Sequence, residues 1–265
     1  MNDWRTYDDV ADIYERVHAP RFAEAARDLV AALKVSDGER ILDVGTGTGV
    51  AAEEAGRAGA RAIGIDRSVG MLAVGRRARP GLELLAGEVI DLPFRDGTFD
   101  AVVGNFVLAH FTKVDTALFD VRRVLRPTGR IGFTAWSDGQ DAYQDAWLEQ
   151  VESVVPREML APAYAAAAPG HDRFQRSAEF DGVLRRAGFR NIQTETKRYR
   201  WTYARDDFVD GLATWTVGRF VRNMLGDREW AALIDRTRAV FAERFPDPLH
   251  DFRDVIVAVA TLPRP

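Results

Sequence analysis

"ILDVGTGTGV", residues 41–50, is the stretch whose reading decides the fold. An apolar run containing one acid breaks into glycines at 45, 47 and 49 alternating with threonines, the pattern of a buried strand turning into a helix with its backbone laid bare. Free N–H groups and the positive end of the helix dipole at such a break suit an anionic or electron-rich ligand atom. The spacing narrows the choice. A dinucleotide fingerprint reads G-x-G-x-x-G, whereas this loop reads G-x-G-x-G with Asp43 two residues ahead of the first glycine, so a nicotinamide oxidoreductase is disfavoured. No Gly-Lys-Ser/Thr follows, which removes the phosphate loop of nucleotide hydrolases. Taken alone, the loop is also compatible with a tight turn and nothing more.

Working outward, the first forty residues carry helical stripes, Tyr7, Val10, Ala11 and Tyr14, then Phe22, Ala25, Ala26, Leu29, Val30 and Leu33. Downstream, short apolar runs at 60–65, 82–86, 101–108 and 130–136 alternate with helical segments, which predicts a parallel sheet with helices on both faces. The best-marked helix covers 114–125 and is closed by Pro127 and Gly129. Residues 140–176 then read as a helical lid insertion interrupted at Pro156, Pro162 and Pro169. Ser177 is the expected N-cap of a helix stopped by Gly188. A strand over 192–201, a second helical insertion over 205–245 and a last strand over 255–262 complete the chain.

Composition sets bounds. With 265 residues and 46% hydrophobic residues, the chain can fill one large core, and a single domain over 1–265 is expected. A net charge of -4 gives no positive field to attract a polyanion, so no nucleic-acid partner is expected. Cysteine is absent, which excludes disulfides and thiolate chemistry. Neither a secretory leader pattern nor an apolar run of membrane-spanning length occurs, so a cytoplasmic protein without membrane association is expected. No His or carboxylate cluster has metal-ligand spacing, and no metal is expected.

The strand after the glycine loop ends in Asp66, where a carboxylate can accept from both hydroxyls of a ribose or, beside Ser68, merely cap a helix. Glu88 closes the third strand, its carboxylate able to accept from an adenine amino group while Val89 covers the ring face. Asp43, Asp66 and Glu88 thereby fall at the C-terminal ends of successive strands, the edge at which open parallel sheets bind ligands. LDVGTGTG (42–49), the Asp66 position, LPFRDGTFDAVV (92–103) and LRPTGRI (125–131) together resemble the class I S-adenosylmethionine-dependent methyltransferases of small-molecule type. That resemblance implies an α/β, Rossmann-like, doubly wound seven-stranded sheet with an antiparallel last strand, a helical N-terminal segment and helical lid insertions. It implies S-adenosylmethionine as cofactor, with Asp43, Gly45, Thr46 and Gly47 against its methionine portion, Asp66 on the ribose beside Arg67 and Met71, Glu88 and Val89 at the adenine, and Asn105 facing the methionine end.

Methyl transfer from a sulfonium is an in-line displacement with an excellent leaving group, so catalysis is mainly positioning and exclusion of water. A base is needed only where the acceptor must lose a proton. His110, just past the fourth strand, is the candidate catalytic base, its other reading being a histidine packed beside the cofactor; His18 and His171 are weaker candidates. Trp136, Tyr143, Trp147, Tyr164, Trp201, Tyr203, Trp215 and Phe220 suit a small hydrophobic or aromatic acceptor, or simply pack the insertions onto the sheet. Arg219 and Arg222, on one helix face, can meet a carboxylate or face solvent. Methylation of nucleic-acid bases is not expected, because residues 104–107 read Gly-Asn-Phe-Val rather than Asn/Asp-Pro-Pro-aromatic. The expected function is methyl transfer to a small metabolite; the alternative is a non-catalytic or repurposed member, acting as a binding module or cyclisation catalyst.

Overall fold

The computed structural model describes residues 4–137, 139 and 142–264; the side chains of 4–6, 164, 166 and 167 lie outside that description. Gln140, the expected start of the first insertion, and the ring of Tyr164 therefore fall outside it. One sheet organises the chain: β1 (Arg40–Val44), β2 (Arg61–Asp66), β3 (Glu83–Ala86), β4 (Phe99–Gly104), β5 (Leu125–Trp136), β6 (Arg190–Tyr203) and β7 (Leu249–Thr261), in the order β3-β2-β1-β4-β5-β7-β6. β1 to β5 pair in parallel, with Leu42 opposite Ile63 on one side and Val102 on the other, and β7 runs antiparallel to β5 and β6. The seven-stranded arrangement with an antiparallel β7 is thus as expected.

Side-chain alternation explains the layers. Ile41, Ala101 and Val103 point to the face covered by the helices Ala19–Ala32 and Val50–Arg57, while Leu42, Val44 and Val102 join Leu118, Val121, Phe180 and Val183 on the other face. A separate cluster holds the insertions together, with Trp147, Phe208, Trp230 and Phe241 at its centre and Val10 and Val17 docked on it. The strand order reverses between β1 and β4, which places a crevice at their C-terminal ends.

Several boundaries differ from the sequence pattern, each for a local reason. β7 begins at Leu249 rather than 255, because Leu249 pairs with Tyr203 in a long β6–β7 ribbon whose polar residues hid the alternation. The second insertion, with helices Arg205–Gly211, Thr216–Leu225 and Asp227–Arg244, is the excursion between those strands. The apolar run 101–108 stops being a strand at Gly104, since Phe106 takes a φ of 58°. Ser177 is the first residue of its helix and makes no cap; Arg176 occupies the cap position. Pro162 sits inside the helix Arg157–Ala167 on an exposed side, where water can replace a lost backbone bond, and does not interrupt it. Among the described residues, no helix is long and apolar enough to cross a membrane.

Candidate active site

Turns following the first four strands open into one cavity of about 390 Å³, within the range of small-molecule sites. Gly45, Gly47, Asp66, Arg67, Met71, Glu88, Val89, Asn105 and His110 all line it. At Gly45, φ is 63° and an added Cβ would collide with Val107 Cγ2, in the turn after β4, so only glycine lets the chain turn there. Gly47 N–H donates to Asp66 Oδ2 at 2.7 Å, and Ser68 N–H donates to Asp66 Oδ1 at 2.9 Å. Asp66 therefore ties the glycine loop to the β2 turn while facing the cavity, and the cap of the helix that follows is not Asp66 but Ser68, whose Oγ accepts from Met71 N–H. Burial raises its carboxyl pKa, against the lowering effect of those N–H groups.

Asp43 stands apart from the main cavity. It is 1% exposed, and its Oδ2 accepts from Thr46 Oγ1 at 2.6 Å and Ala52 N–H at 3.0 Å, while Oδ1 is buried without a hydrogen-bond partner. Burial pushes its carboxyl up to about 7. Together with Thr46, Tyr14, Phe22 and Asn105 it lines a side chamber of about 20 Å³. Glu88 lies past the end of β3 rather than closing it and is half exposed, 3.4 Å from Arg67 Nε.

Asn105 clamps the crevice: its Nδ2 donates to the Phe22 carbonyl at 3.2 Å and its Oδ1 accepts from Thr134 Oγ1 at 2.6 Å. Thr134 Oγ1 in turn accepts from Phe106 N–H at 2.9 Å. This bond holds Phe106 in its left-handed backbone conformation, an uncommon state for a bulky residue. As a result the Phe106 ring stacks on Trp136 at 4.2 Å and leans on Phe22 at 5.0 Å, giving the cavity an aromatic wall.

All three histidines singled out from sequence face this cavity. His110 sits in the short turn Leu108–His110 with the Tyr7 ring edge-on at 6.3 Å. His18 is 4% exposed, and its Nε2 lies 3.2 Å from the Gly211 carbonyl, an acceptor only, so Nε2 carries the proton. Burial, helped by Arg21, depresses its pKa to about 3 and keeps the ring neutral. His171 Nε2 takes a hydrogen bond from Gln175 at 2.7 Å.

The arginines separate. Arg219 is buried, lines the cavity and places its guanidinium 3.7 Å from the centre of the Tyr7 ring, whereas Arg222 pairs with Asp227 at 3.9 Å and does not line it. Of the described aromatic rings named from the insertions, Trp136 and Trp215 reach the cavity. Trp147 is buried against Trp230, and the half-buried Tyr143 packs on Phe208 and Phe245, so for these the packing reading holds. Sequence reasoning missed Arg21, Phe22, Phe106 and Thr134, all cavity residues. Phe22 had been absorbed into a helical packing stripe, and no local pattern marks the other three. Among the described residues, no group of three or more His, Cys, Asp or Glu side chains is placed to hold a metal ion.

Residues 42–133 match a family model described as a methyltransferase domain. A demethylmenaquinone methyltransferase of Streptomyces avermitilis is 31% identical over 196 residues, covering 70% of this chain and 85% of that protein. Other demethylmenaquinone methyltransferases match over a shorter stretch, about half of their own length. In fold, the chain is similar to a putative methyltransferase from Bacillus halodurans, with a TM-score of 0.57 at 19% identity, covering 90% of this chain and 98% of that one. It is also similar to a Haemonchus contortus phosphoethanolamine N-methyltransferase in complex with S-adenosyl-L-methionine, with a TM-score of 0.56 at 16% identity, covering 91% and 53%.

Proposed function

We propose that this chain, which belongs to the class I S-adenosylmethionine-dependent methyltransferases, methylates a small hydrophobic or aromatic acceptor held against the wall formed by Phe22, Phe106 and Trp136. That wall, in the same cavity as the glycine loop, is the observation that carries the reading. Demethylmenaquinone, the substrate named for the relatives, has the required character, and a ring of that kind is the first acceptor to try.

The cofactor's methionine end is assigned to Gly45, Gly47 and the Asp43 side chamber, its ribose to Asp66 with Arg67 and Met71 beside it, and its adenine to Glu88 and Val89. The buried Oδ1 of Asp43 supports this assignment, because a methionine ammonium group would give it the donor it otherwise lacks. When bound, S-adenosylmethionine supplies a methyl group on a sulfonium, an activated electrophile that needs no acid catalyst. What remains for the protein is alignment and dryness. Asn105 and Thr134 fix the crevice and aim Phe106, and the aromatic wall orients a planar acceptor. His110 accepts a proton where the acceptor atom carries one, and Tyr7 and Trp215 exclude water. The reaction is assigned to the cytoplasm, with no nucleic acid as acceptor.

Incubation with labelled methyl donor and separate pools of small metabolites, protein and RNA tests this reading. Label should appear in lipophilic small molecules; label mainly in protein or RNA would overturn the acceptor class, and no transfer to any pool would revive the non-catalytic alternative.

A further inference from the structure

The cavity is closed on one side by residues 4–18, a strap of short helical turns running from the helix Val69–Ala78 to the second insertion. Its ion pairs are of two kinds: Asp12 with Arg77 at 2.6 Å and Arg16 with Asp207 and with Asp210 are exposed, whereas Glu15 meets Arg79, just past the end of the helix Val69–Ala78, at 2.9 Å with both side chains largely buried. The exposed pairs hold little, and the Glu15–Arg79 pair anchors the far end of the helix rather than its start. Asp8 is different. Its Oδ1 accepts from Gly70 N–H at 2.8 Å and from Ser68 Oγ at 2.5 Å, while Ser68 Oγ accepts from Met71 N–H at 3.1 Å. Two of the first N–H groups of the helix Val69–Ala78 are thereby satisfied, one by its own cap residue and one by a carboxylate from the strap. Space for this contact exists because residue 70 is glycine: an added Cβ would stand 2.6 Å from Asp8 Cα and 2.8 Å from its Cβ. Neither Asp8 nor Gly70 lines the cavity, yet their neighbours Tyr7 and Met71 do. Tyr7 stands edge-on to His110 and beneath the guanidinium of Arg219.

We propose that Asp8 is a positioning residue: by capping the helix Val69–Ala78 from outside, it seats Tyr7 between His110 and Arg219 and controls the escape of the adenosyl ligand. The inference rests on the ribose lying at Asp66, two residues before Ser68. Asp8→Ala and Gly70→Ala remove the same contact by different means, one by deleting the acceptor and the other by steric displacement of the strap. Asp8→Asn keeps an acceptor oxygen.

Two measurements decide it. Hydrogen exchange of residues 4–18 in the ligand-free protein should quicken in Asp8→Ala and Gly70→Ala, with Asp8→Asn near wild type. Stopped-flow release of S-adenosylhomocysteine should quicken by about five- to tenfold in the first two variants, the scale of a lost helix cap, and by less than about twofold in Asp8→Asn. Unchanged exchange in both disruptive variants overturns the clip. Quickened exchange with unchanged release overturns the control of ligand escape. A wild-type protein that fails to bind S-adenosylhomocysteine would instead point to the cofactor reading, since the exchange measurement needs no ligand.

Discussion

The two halves of the cavity are made in different ways. The half under the glycine loop takes its walls from residues 45–89, placed by the ends of β1 to β3 and, for Met71, by the helix that follows β2; the half under Trp136 takes them from residues as distant as Tyr7, Phe22 and Arg253. The first half is rich in carboxylates and backbone N–H groups, and the second is aromatic. In the first, each residue's position follows from sheet geometry, so a single substitution should act on a ligand contact directly. The second depends on tertiary contacts such as His18 with Gly211 and Arg21 with Asp251, so it can be rebuilt for another acceptor without disturbing the first.

The sharpest way to break the first half is Gly45→Ala. A left-handed φ costs a residue with a Cβ about 1–2 kcal/mol, and overpacking against Val107 about 1–3 kcal/mol more. Chemical denaturation should record a loss of about 2–5 kcal/mol. A variant as stable as wild type would mean the loop has room that the geometry denies.

Next in size is Asp66→Ala, expected to weaken S-adenosylmethionine binding by about 1.5–3 kcal/mol in a calorimetric titration. Part of that loss would come from the loop, because the same carboxylate receives Gly47 N–H and Ser68 N–H. Unchanged affinity would remove Asp66 from the site.

Acidity sharpens the comparison further. The Asp43 carboxyl, pushed up to about 7 by burial, must be ionised to pair with an ammonium group, so cofactor affinity should fall by up to about tenfold per pH unit below 7. Asp43→Asn should bind more weakly and without that dependence. For folding the sign is opposite: a raised carboxyl pKa contributes stability that is fully present below the ordinary aspartate value of 3.8 and is lost as pH rises through about 7. A wild-type affinity flat between pH 6 and 8, measured by titration calorimetry, would place the ammonium group elsewhere.

The smallest expected effect is a null one. Trp136→Leu should slow methyl transfer yet leave cofactor affinity unchanged, and its effect on binding should add to that of Asp66→Ala within about 0.5 kcal/mol. A larger coupling energy would show that the halves are not independent.

How much the sequence revealed follows the same division. The places of Asp43, Gly45 and Asp66 were legible because each stands at or beside the end of a strand visible in the apolar pattern, whereas the short, largely unburied β3 left Glu88 two residues beyond its expected place. Phe22 and Arg21 were not: they are adjacent in a helix whose apolar stripe reads as packing, and Arg21 gains meaning only beside Trp136 and Trp201, at 5.0 and 4.3 Å. Phe106 was hidden for another reason, because nothing in its neighbours announces a left-handed aromatic residue held by Thr134 across the sheet. The strap was foreseen as a helical stripe containing Tyr7 and Tyr14, but the role of Gly70 needed coordinates, since an early-helix glycine has no signature of what stands above it.

The most direct measurement is a crystal structure with S-adenosylhomocysteine bound. Both ribose hydroxyls are predicted to meet the Asp66 carboxylate, with the amino group near Asp43 and the sulfur turned toward the wall of Phe22, Phe106 and Trp136. An adenine stacked on that wall, or a ribose away from Asp66, would contradict the account.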